Sequence, residues 1–202
     1  MPHAEIAVAT APALTAVLFG LSGCLVDFGS RARSDAPSPD SQATPGALKI
    51  LRSLKEQGVP CAWLDELPAS ITTPLAATLP AWLKAASPCA IRWPAPHACW
   101  HALMELNIAR LEGCVLVSGE PRLLQAGLNA GLWTIGLASC GSLCGVAPQQ
   151  WQALSDKERE HKRGKATVAL YGLGVHSVID HLGELGTCLA DIRLRRLKGE
   201  KP

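Results

Sequence analysis

The chain has 202 residues, of which 48% are hydrophobic, so it can bury one sizeable core and we expect a single domain. A formal net charge of +2 gives no whole-chain signal for nucleic acid or an anionic membrane, and neither is expected as a partner. Aromatic residues are few, and most are tryptophans. Because no basic stripe lies between them, they indicate packing in the core and in grooves rather than a surface that stacks bases.

The first half of the chain alternates apolar runs with amphipathic stretches. Prolines and glycines punctuate these runs and mark where elements start and stop. The predicted elements are a buried strand over residues 13–19, a helix over 45–57 before Gly58, a strand over 59–64, a proline-interrupted helix over 72–84 and a short strand over 89–92.

The second half continues the same alternation. It predicts a helix from Pro96, a strand over 114–117, a helix over 123–130, a strand over 133–137, a solvated helix over 148–165 followed by 168–173, a strand over 176–179 and a closing helix over 182–197. Strands that alternate with helices predict an α/β fold, a three-layer doubly wound parallel sheet. We expect one core domain over 13–197, an N-terminal extension over 1–12 and a C-terminal tail over 198–202.

Residues 31–44, RARSDAPSPDSQAT, are rich in Pro, Ser, Asp and Ala and have no apolar periodicity. This composition predicts a loop or linker inside the domain.

Eight cysteines are scattered through the chain, mostly without a short repeated spacing. We expect most of them to be reduced and buried in a cytoplasmic protein. The one close pair is Cys140 and Cys144. Zinc would need further ligands at a matching spacing, and none follows, so this stretch is expected to be a loop rather than a metal site.

The N-terminal segment allows a second interpretation, because residues 6–24 are almost uncharged and end in LSGC. That ending is typical of a lipoprotein cleavage box and would make the protein an exported lipoprotein lipidated at Cys24. The preceding residues contain no Lys or Arg, they include Glu5, and Pro12 interrupts the apolar run. We therefore favour a cytoplasmic location, and no other stretch is long and apolar enough to span a bilayer.

Several spaced motifs resemble one enzyme family. VLFGLSGCLVDFGSRA, residues 17–32, is similar to the DxxGTxVDFGSRA motif of the haloacid dehalogenase (HAD) superfamily, most closely that of phosphonoacetaldehyde hydrolases. GLNAGLWTIGL, SCGSLCG and GVHSVIDHLGEL then match GLNAGMWTVG, SGNxxGL and GAHYVIDxxxxL in the same order. The resemblance covers most of residues 13–195. It implies a Rossmannoid core and, in intact members, magnesium-dependent hydrolase chemistry.

The first motif departs from the family at its catalytic position. The resemblance implies an aspartate nucleophile where this chain has Gly20, and glycine has no side chain to attack phosphorus. The phosphate-holding threonine is replaced by Cys24. Ser22 lies where phosphonoacetaldehyde hydrolases also carry a small residue. Retained residues of this motif, Asp27 among them, are expected to hold a turn.

The later family positions are altered as well. Where the family has the strand end STTGY, this chain has WLDEL, so Asp65 and its neighbour Glu66 would repel a phosphate. The basic residue that the family places before PAP is replaced by Trp93, and Arg92 could substitute only if the strand end shifted by one residue. The acidic magnesium pair is replaced by Ser118, Gly119 and Glu120. Asp65 and Glu120 could rebuild a site, but a Glu before Pro121 is more typical of a helix cap.

The resemblance also implies an inserted helical cap that carries a Schiff-base lysine. Only residues 31–44 lie at that place, and they contain no lysine. Lys49 and Lys55 follow on the next helix, where solvated surface charges are expected. We therefore expect a HAD core without a cap. Relatives dimerise largely through the cap, so the oligomeric state, including a homodimer, stays open.

These changes lead to a main hypothesis of a catalytically degenerate protein, a pseudoenzyme with a regulatory or protein-interaction role. We expect no magnesium and no other cofactor. The carboxyl edge of the sheet would be open, and apolar Trp63, Leu64 and Trp93 there would suit an unknown protein or small-molecule partner.

The alternative is a hydrolase with a remodelled site. Cys24 would then be a nucleophile with a lowered pKa, and His97 or His101 would be its base. A buried structural cysteine is the competing interpretation. A cationic cluster that includes Arg193, Arg195 and Arg196 near the C-terminus fits a helix dipole, or else a phosphate or acidic partner.

Overall fold

The computed structural model describes residues 11–33 and 41–202. Most of the expected N-terminal extension and the middle of the predicted linker lie outside the described residues. Within them, the strands are β1 (Ala16–Gly20), β2 (Cys61–Leu64), β3 (Lys84–Ala85), β4 (Cys114–Ser118), β5 (Trp133–Leu137) and β6 (Ser177–Ile179). The α-helices are α1 (Ala47–Glu56), α2 (Ala69–Ala76), α3 (His97–Glu105), α4 (Pro121–Asn129), α5 (Pro148–Ala153), α6 (Asp156–Gly172) and α7 (Leu185–Leu197). Short 3-10 helices span Arg31–Arg33 and Leu182–Glu184.

The strands form one parallel sheet in the order β3-β2-β1-β4-β5-β6. The chain builds outwards from β1 to β3, returns to place β4 beside β1, and then builds in the opposite direction. Such a reversal leaves a crevice at the carboxyl ends of the two central strands, where doubly wound proteins bind ligands. Gly20 ends β1 and Ser118 ends β4, so both lie at this crevice.

Alternate residues of the fully buried β1 face opposite layers. Val17 and Phe19 pack in the core that includes residues of α1 and α7. Leu18 packs in the core that includes residues of α3 and α4. On β5, an added Cβ at Gly136 would lie 3.0 Å from a Leu170 methyl of α6. The three-layer doubly wound prediction is confirmed.

Three parts of the predicted element list are wrong. Residues 89–92 form no strand, and the edge strand is instead the exposed pair β3, in the stretch predicted as the end of a helix. Helix α2 ends at Ala76, because Pro80 cannot continue a helix and restricts the residue before it. The predicted solvated helix is divided into α5 and α6, since Ser155 and Glu158 form a capping box that starts a new helix.

The C-terminal arginines have structural partners. Arg193 donates to the carbonyls of Pro12 and Ala11, and Arg196 donates to that of Ala13 at 2.7 Å. The Arg195 guanidinium lies 4.7 Å from the centroid of the Trp133 ring. Arg193 and Arg196 therefore connect the segment before β1 to α7, whereas Arg195 packs against Trp133 of β5. In the described part of the chain, no helix combines the length and the hydropathy that crossing a membrane requires.

Two helical glycines differ in their surroundings and provide a stability test. A Cβ on Gly127 of α4 would lie 2.4 Å from Leu116 Cδ2 and 3.0 Å from Thr134 Cγ2, whereas Gly164 of α6 has nothing within 4 Å of that position. We expect Gly127→Ala to lower the free energy of unfolding by about 1–3 kcal/mol through overpacking. Gly164→Ala should raise it by about 0.5–1 kcal/mol, because alanine restricts the unfolded chain more. Urea unfolding measures both, and shifts of the same sign would contradict this packing.

Candidate functional site

In the crevice between β1 and β4, a side chain at position 20 would require neighbouring side chains to move. A Cβ added to Gly20 would lie 2.7 Å from Ser118 Oγ and 3.3 Å from Leu123 Cδ2. The Ser118 hydroxyl is itself held, because it accepts a hydrogen bond of 3.0 Å from the Glu120 N–H. A larger residue at position 20 would therefore have to break this hydrogen bond or displace the start of α4.

The loop after β1 is held by a buried carboxylate. Asp27 accepts hydrogen bonds from the Ser22 hydroxyl at 2.6 Å and from the N–H groups of Arg31 and Ala32 at 3.1 and 2.8 Å. Its φ of 56° lies in the left-handed region, which aspartate tolerates better than most residues. Asp27 thus stabilises the turn into the 3-10 helix Arg31–Arg33, as expected for a retained residue of this motif, and Ser22 is one of its donors.

A second buried carboxylate joins this loop to the end of β2. Asp65, whose side chain is 0% exposed, accepts from the N–H groups of Ser22 at 3.1 Å and Leu67 at 2.9 Å. It also accepts from the Arg33 guanidinium at 2.6 Å. Asp65 was predicted to repel a phosphate, but Arg33 compensates its charge. With these donors, the Asp65 carboxylate has a structural role.

Arg33 is the site residue that the sequence interpretation missed. Its Nε lies 3.8 Å from Glu120 Oε2, and its guanidinium lies 5.2 Å from the centroid of the Trp93 ring. The side chain is only 20% exposed, and it joins strand ends that are far apart in sequence. The available signal was a pair of arginines directly after the turn motif, which we assigned to the start of a linker.

Ser118, Gly119 and Glu120, at the expected magnesium position, have structural roles. The Glu120 carboxylate accepts from the Arg122 N–H at 3.4 Å and caps α4, in agreement with the cap interpretation.

Position 119 requires glycine because two other backbone segments pass close to it. A Cβ there would lie 2.4 Å from both Gly141 Cα and the Gly23 carbonyl oxygen. Only glycine allows this approach.

The carboxylates at the edge have protein donors as partners. Asp65 and Glu120 face N–H groups and the guanidinium of Arg33. Magnesium requires oxygen ligands in near-octahedral geometry, and Gly20 supplies no side-chain oxygen. Among residues 11–33 and 41–202, no cluster of three or more His, Cys, Asp or Glu is placed to hold a metal ion.

The predicted apolar edge is corrected by the structure. Leu64 and Trp93 are buried in the core that includes residues of α3 and α4, and Trp63 is half-buried, so they offer little surface to a partner. The Trp93 N–H donates to Glu66 Oε1, and its carbonyl accepts from Arg122.

Arg92 does not take the place of the family's basic residue. Residues 89–92 form no strand, so there is no strand end whose shift could bring Arg92 to that position. Arg92 is exposed and lines a neighbouring cavity of about 340 Å³, together with Asp65 and Glu66.

Cys24 has the surroundings of a structural thiol. It is fully buried, and its S–H donates to the Val117 carbonyl oxygen at 3.4 Å. Burial raises its pKa, and nearby Cys140 raises it further, whereas a nucleophile needs a lowered pKa. His97 and His101 lie on α3, which packs on the opposite face of the sheet from the Cys24 cluster.

The buried thiol also bears on the lipoprotein alternative. Cleavage before Cys24 would remove β1, which is central to the sheet. The other close cysteines, Cys140 and Cys144, are buried free thiols, and burial raises the pKa of Cys140 to about 12.

Two arginine–aspartate pairs of nearly equal length test the role of Arg33. Arg33–Asp65 is 2.6 Å long with a buried aspartate, whereas Arg159–Asp156 is 2.7 Å long with an aspartate that is 99% exposed. We expect Arg33→Ala to lower the free energy of unfolding by about 1–3 kcal/mol, because it leaves a buried carboxylate uncompensated. Arg159→Ala should change it by less than about 0.5 kcal/mol. Urea unfolding followed by tryptophan fluorescence measures both, and equal effects would argue against this role.

Comparison with known proteins agrees with the motif resemblance. No family model matches the chain. Proteins named phosphonoacetaldehyde hydrolase do match: that of Bordetella avium is 31% identical over 168 residues, which are 80% of this chain and 60% of that protein. That of Klebsiella pneumoniae is 36% identical over 109 residues, which are 54% of this chain and 40% of that protein. The chain thus spans about 61% of the length of the first such relatives.

Solved structures extend the likeness to the whole fold. One is 64% identical with a TM-score of 0.91, and the match covers 94% of this chain and 100% of the other. A phosphonoacetaldehyde hydrolase-like protein from Oleispira antarctica has a TM-score of 0.85 at 22% identity, over 98% and 99% of the two chains. β-Phosphoglucomutase from Clostridium difficile has a TM-score of 0.60 at 11% identity, over 92% and 100%. Together with the motifs and the sheet order, these relatives show that the chain belongs to the HAD superfamily and is related to phosphonoacetaldehyde hydrolases.

Proposed function

We propose that this protein is a HAD core without phosphotransfer activity, with a regulatory or protein-interaction role in the cytoplasm. The observation that carries the proposal is the closed space at Gly20. Phosphotransfer through an aspartyl intermediate needs a carboxylate at the end of β1. Here the space that it would occupy is taken by the Ser118 hydroxyl, 2.7 Å from the Cβ position.

The second support is the way in which charge is compensated at the crevice. In an intact site of this family, a magnesium ion would balance the acidic groups and the phosphate. In this chain the Arg33 guanidinium lies between Asp65 and Glu120, at 2.6 and 3.8 Å. We infer that Arg33 replaces the metal as the positive charge and that the protein needs no magnesium.

The third support is the short segment between the first motif and α1. Residues 31–44 replace the helical cap that the family inserts there, and they contain no lysine. The segment therefore offers no lysine for a Schiff base of the phosphonoacetaldehyde hydrolase type. We propose that the core works without a cap.

A remodelled hydrolase is the second candidate, and one observation favours it. The cavity of about 340 Å³ beside Asp65 and Arg92 is partly open, and its size is within the range of small-molecule sites. A site there would use a chemistry other than attack by residue 20.

A substrate screen of the purified protein decides between the two candidates. Wild type and Gly20→Asp are tested with phosphonoacetaldehyde, p-nitrophenyl phosphate, and simple ester and thioester substrates, with and without magnesium. We expect neither protein to turn over any of them. Gly20→Asp should also lower the free energy of unfolding by about 1–3 kcal/mol, because its side chain overpacks against Ser118. Urea unfolding measures this change.

Two variants make the screen specific. Cys24→Ala tests the thiol hypothesis, and turnover that this variant abolishes would establish the remodelled enzyme instead. Arg92→Ala tests the neighbouring cavity in the same way. Phosphate release by Gly20→Asp in the presence of magnesium would show that the crevice is still open to substrate and would overturn the proposal.

A further inference from the structure

The outer side of α6 carries a groove whose residues do not contribute to the crevice. Two adjoining cavities of about 420 and 490 Å³ lie along this helix and share His161 and Lys165. They extend from Leu154 to Ala169. The part of this stretch within α6, residues 156–169, is roughly 20 Å long at a rise of 1.5 Å per residue. The groove is therefore long enough for about four turns of a helix.

The lining of the groove carries a net positive charge. It is lined by Lys157, Lys162 and Lys165, and none of them takes part in an ion pair with another described residue. The one acidic residue in the lining, Glu158, accepts hydrogen bonds from the N–H and hydroxyl of Ser155 and leaves the three lysines with an excess of two positive charges. Like charges held in one groove repel each other, so an anionic occupant would relieve this repulsion.

The groove also has an apolar component. Val168 is 73% exposed and Leu143 is 42% exposed, although both are aliphatic. Between them, Gly164 leaves the middle of α6 open, since nothing lies within 4 Å of its Cβ position. A glycine in a helix interior weakens the helix, and here no internal contact requires it. An open, apolar and cationic surface of this length has the features of a helix-binding groove.

We propose that this groove binds an acidic amphipathic helix of a partner protein. Carboxylates of the partner would pair with the three lysines, and its apolar face would cover Val168 and Leu143. The three lysines are spread over about two turns of α6, and this spacing suits the carboxylates of a helix better than a single compact phosphate. The inference goes beyond the proposed loss of catalysis and holds whether or not the crevice is active.

A labelled synthetic peptide tests the proposal. The probe has about 14 residues of leucine and glutamate arranged as an amphipathic helix, and a second peptide carries glutamine at every glutamate position. Fluorescence anisotropy with wild-type protein should show saturable binding of the glutamate peptide and at least about ten-fold weaker binding of the glutamine peptide. Hydrogen exchange of the complex should show protection within residues 157–169.

Charge reversal with a matched control locates the binding. Lys162→Glu/Lys165→Glu should weaken binding of the glutamate peptide at least about ten-fold. Lys49→Glu/Lys201→Glu makes the same change in net charge outside the groove and should alter binding less than about two-fold. Gly164→Leu fills the groove without an internal clash and should also abolish binding, whereas Gly172→Leu on the same helix should not. Urea unfolding confirms that each variant is folded.

The proposal is overturned if the glutamate peptide does not bind at about 1 mM, or if the glutamine peptide binds equally well. It is also overturned if both pairs of lysine variants lose binding to the same extent. Vesicles of phosphatidylglycerol serve as the competing probe, and binding to them without binding of the peptide would assign the surface to lipid instead.

Discussion

The structure of the crevice depends on one buried carboxylate, that of Asp65. Its oxygens accept from two backbone N–H groups and from Arg33, so they connect the end of β2 to the loop after β1. A buried charge is tolerated only when it is paired and hydrogen-bonded, and its loss of hydration has to be compensated in full. Arg33 supplies that compensation and extends the contact to Glu120 and Trp93. The interactions that stabilise this end of the sheet therefore also occupy the space between the strand ends.

Close contacts at two glycines also limit the space at this end of the sheet. Gly119 approaches Gly141 and Gly23 so closely that a Cβ would lie 2.4 Å from its neighbours, and Gly20 meets the Ser118 hydroxyl. A phosphotransfer site needs space for a nucleophile, a phosphate and a metal ion at this point. In this chain the Ser118 hydroxyl and the Arg33–Asp65 pair lie at this point, beside the same switch between β1 and β4. The fold of a HAD hydrolase is retained, and we propose that its chemistry is not.

Much of the fold was predictable, because the central strands carry strong local patterns. β1, β4 and β5 are fully buried apolar runs, and β5 was predicted at its observed bounds. The edge strand β3 was missed because two exposed residues carry no periodic signal. The run at 89–92 was misassigned because apolar composition alone does not identify a paired strand.

The site was predictable only in part. The motif resemblance located Gly20, Asp65, Ser118 and Glu120 at one edge, which is a property of chain order and parallel strands. It could not identify Arg33, because its partner Asp65 lies 32 positions away and no local pattern links them. The burial of Trp93 was missed for a similar reason, since its hydrogen-bond partners are Glu66, which follows β2, and Arg122 of α4 rather than residues of its own irregular segment.

The central claim is that the crevice is filled by the Arg33–Asp65 pair and takes neither magnesium nor a phosphoryl group. Isothermal titration of the purified protein with magnesium chloride and orthovanadate, a phosphate analogue, tests this directly, with a magnesium-dependent HAD phosphatase as the positive control. We expect no saturable binding up to about 1 mM of either compound, alone or together. One-to-one binding of magnesium and vanadate below that concentration would contradict it.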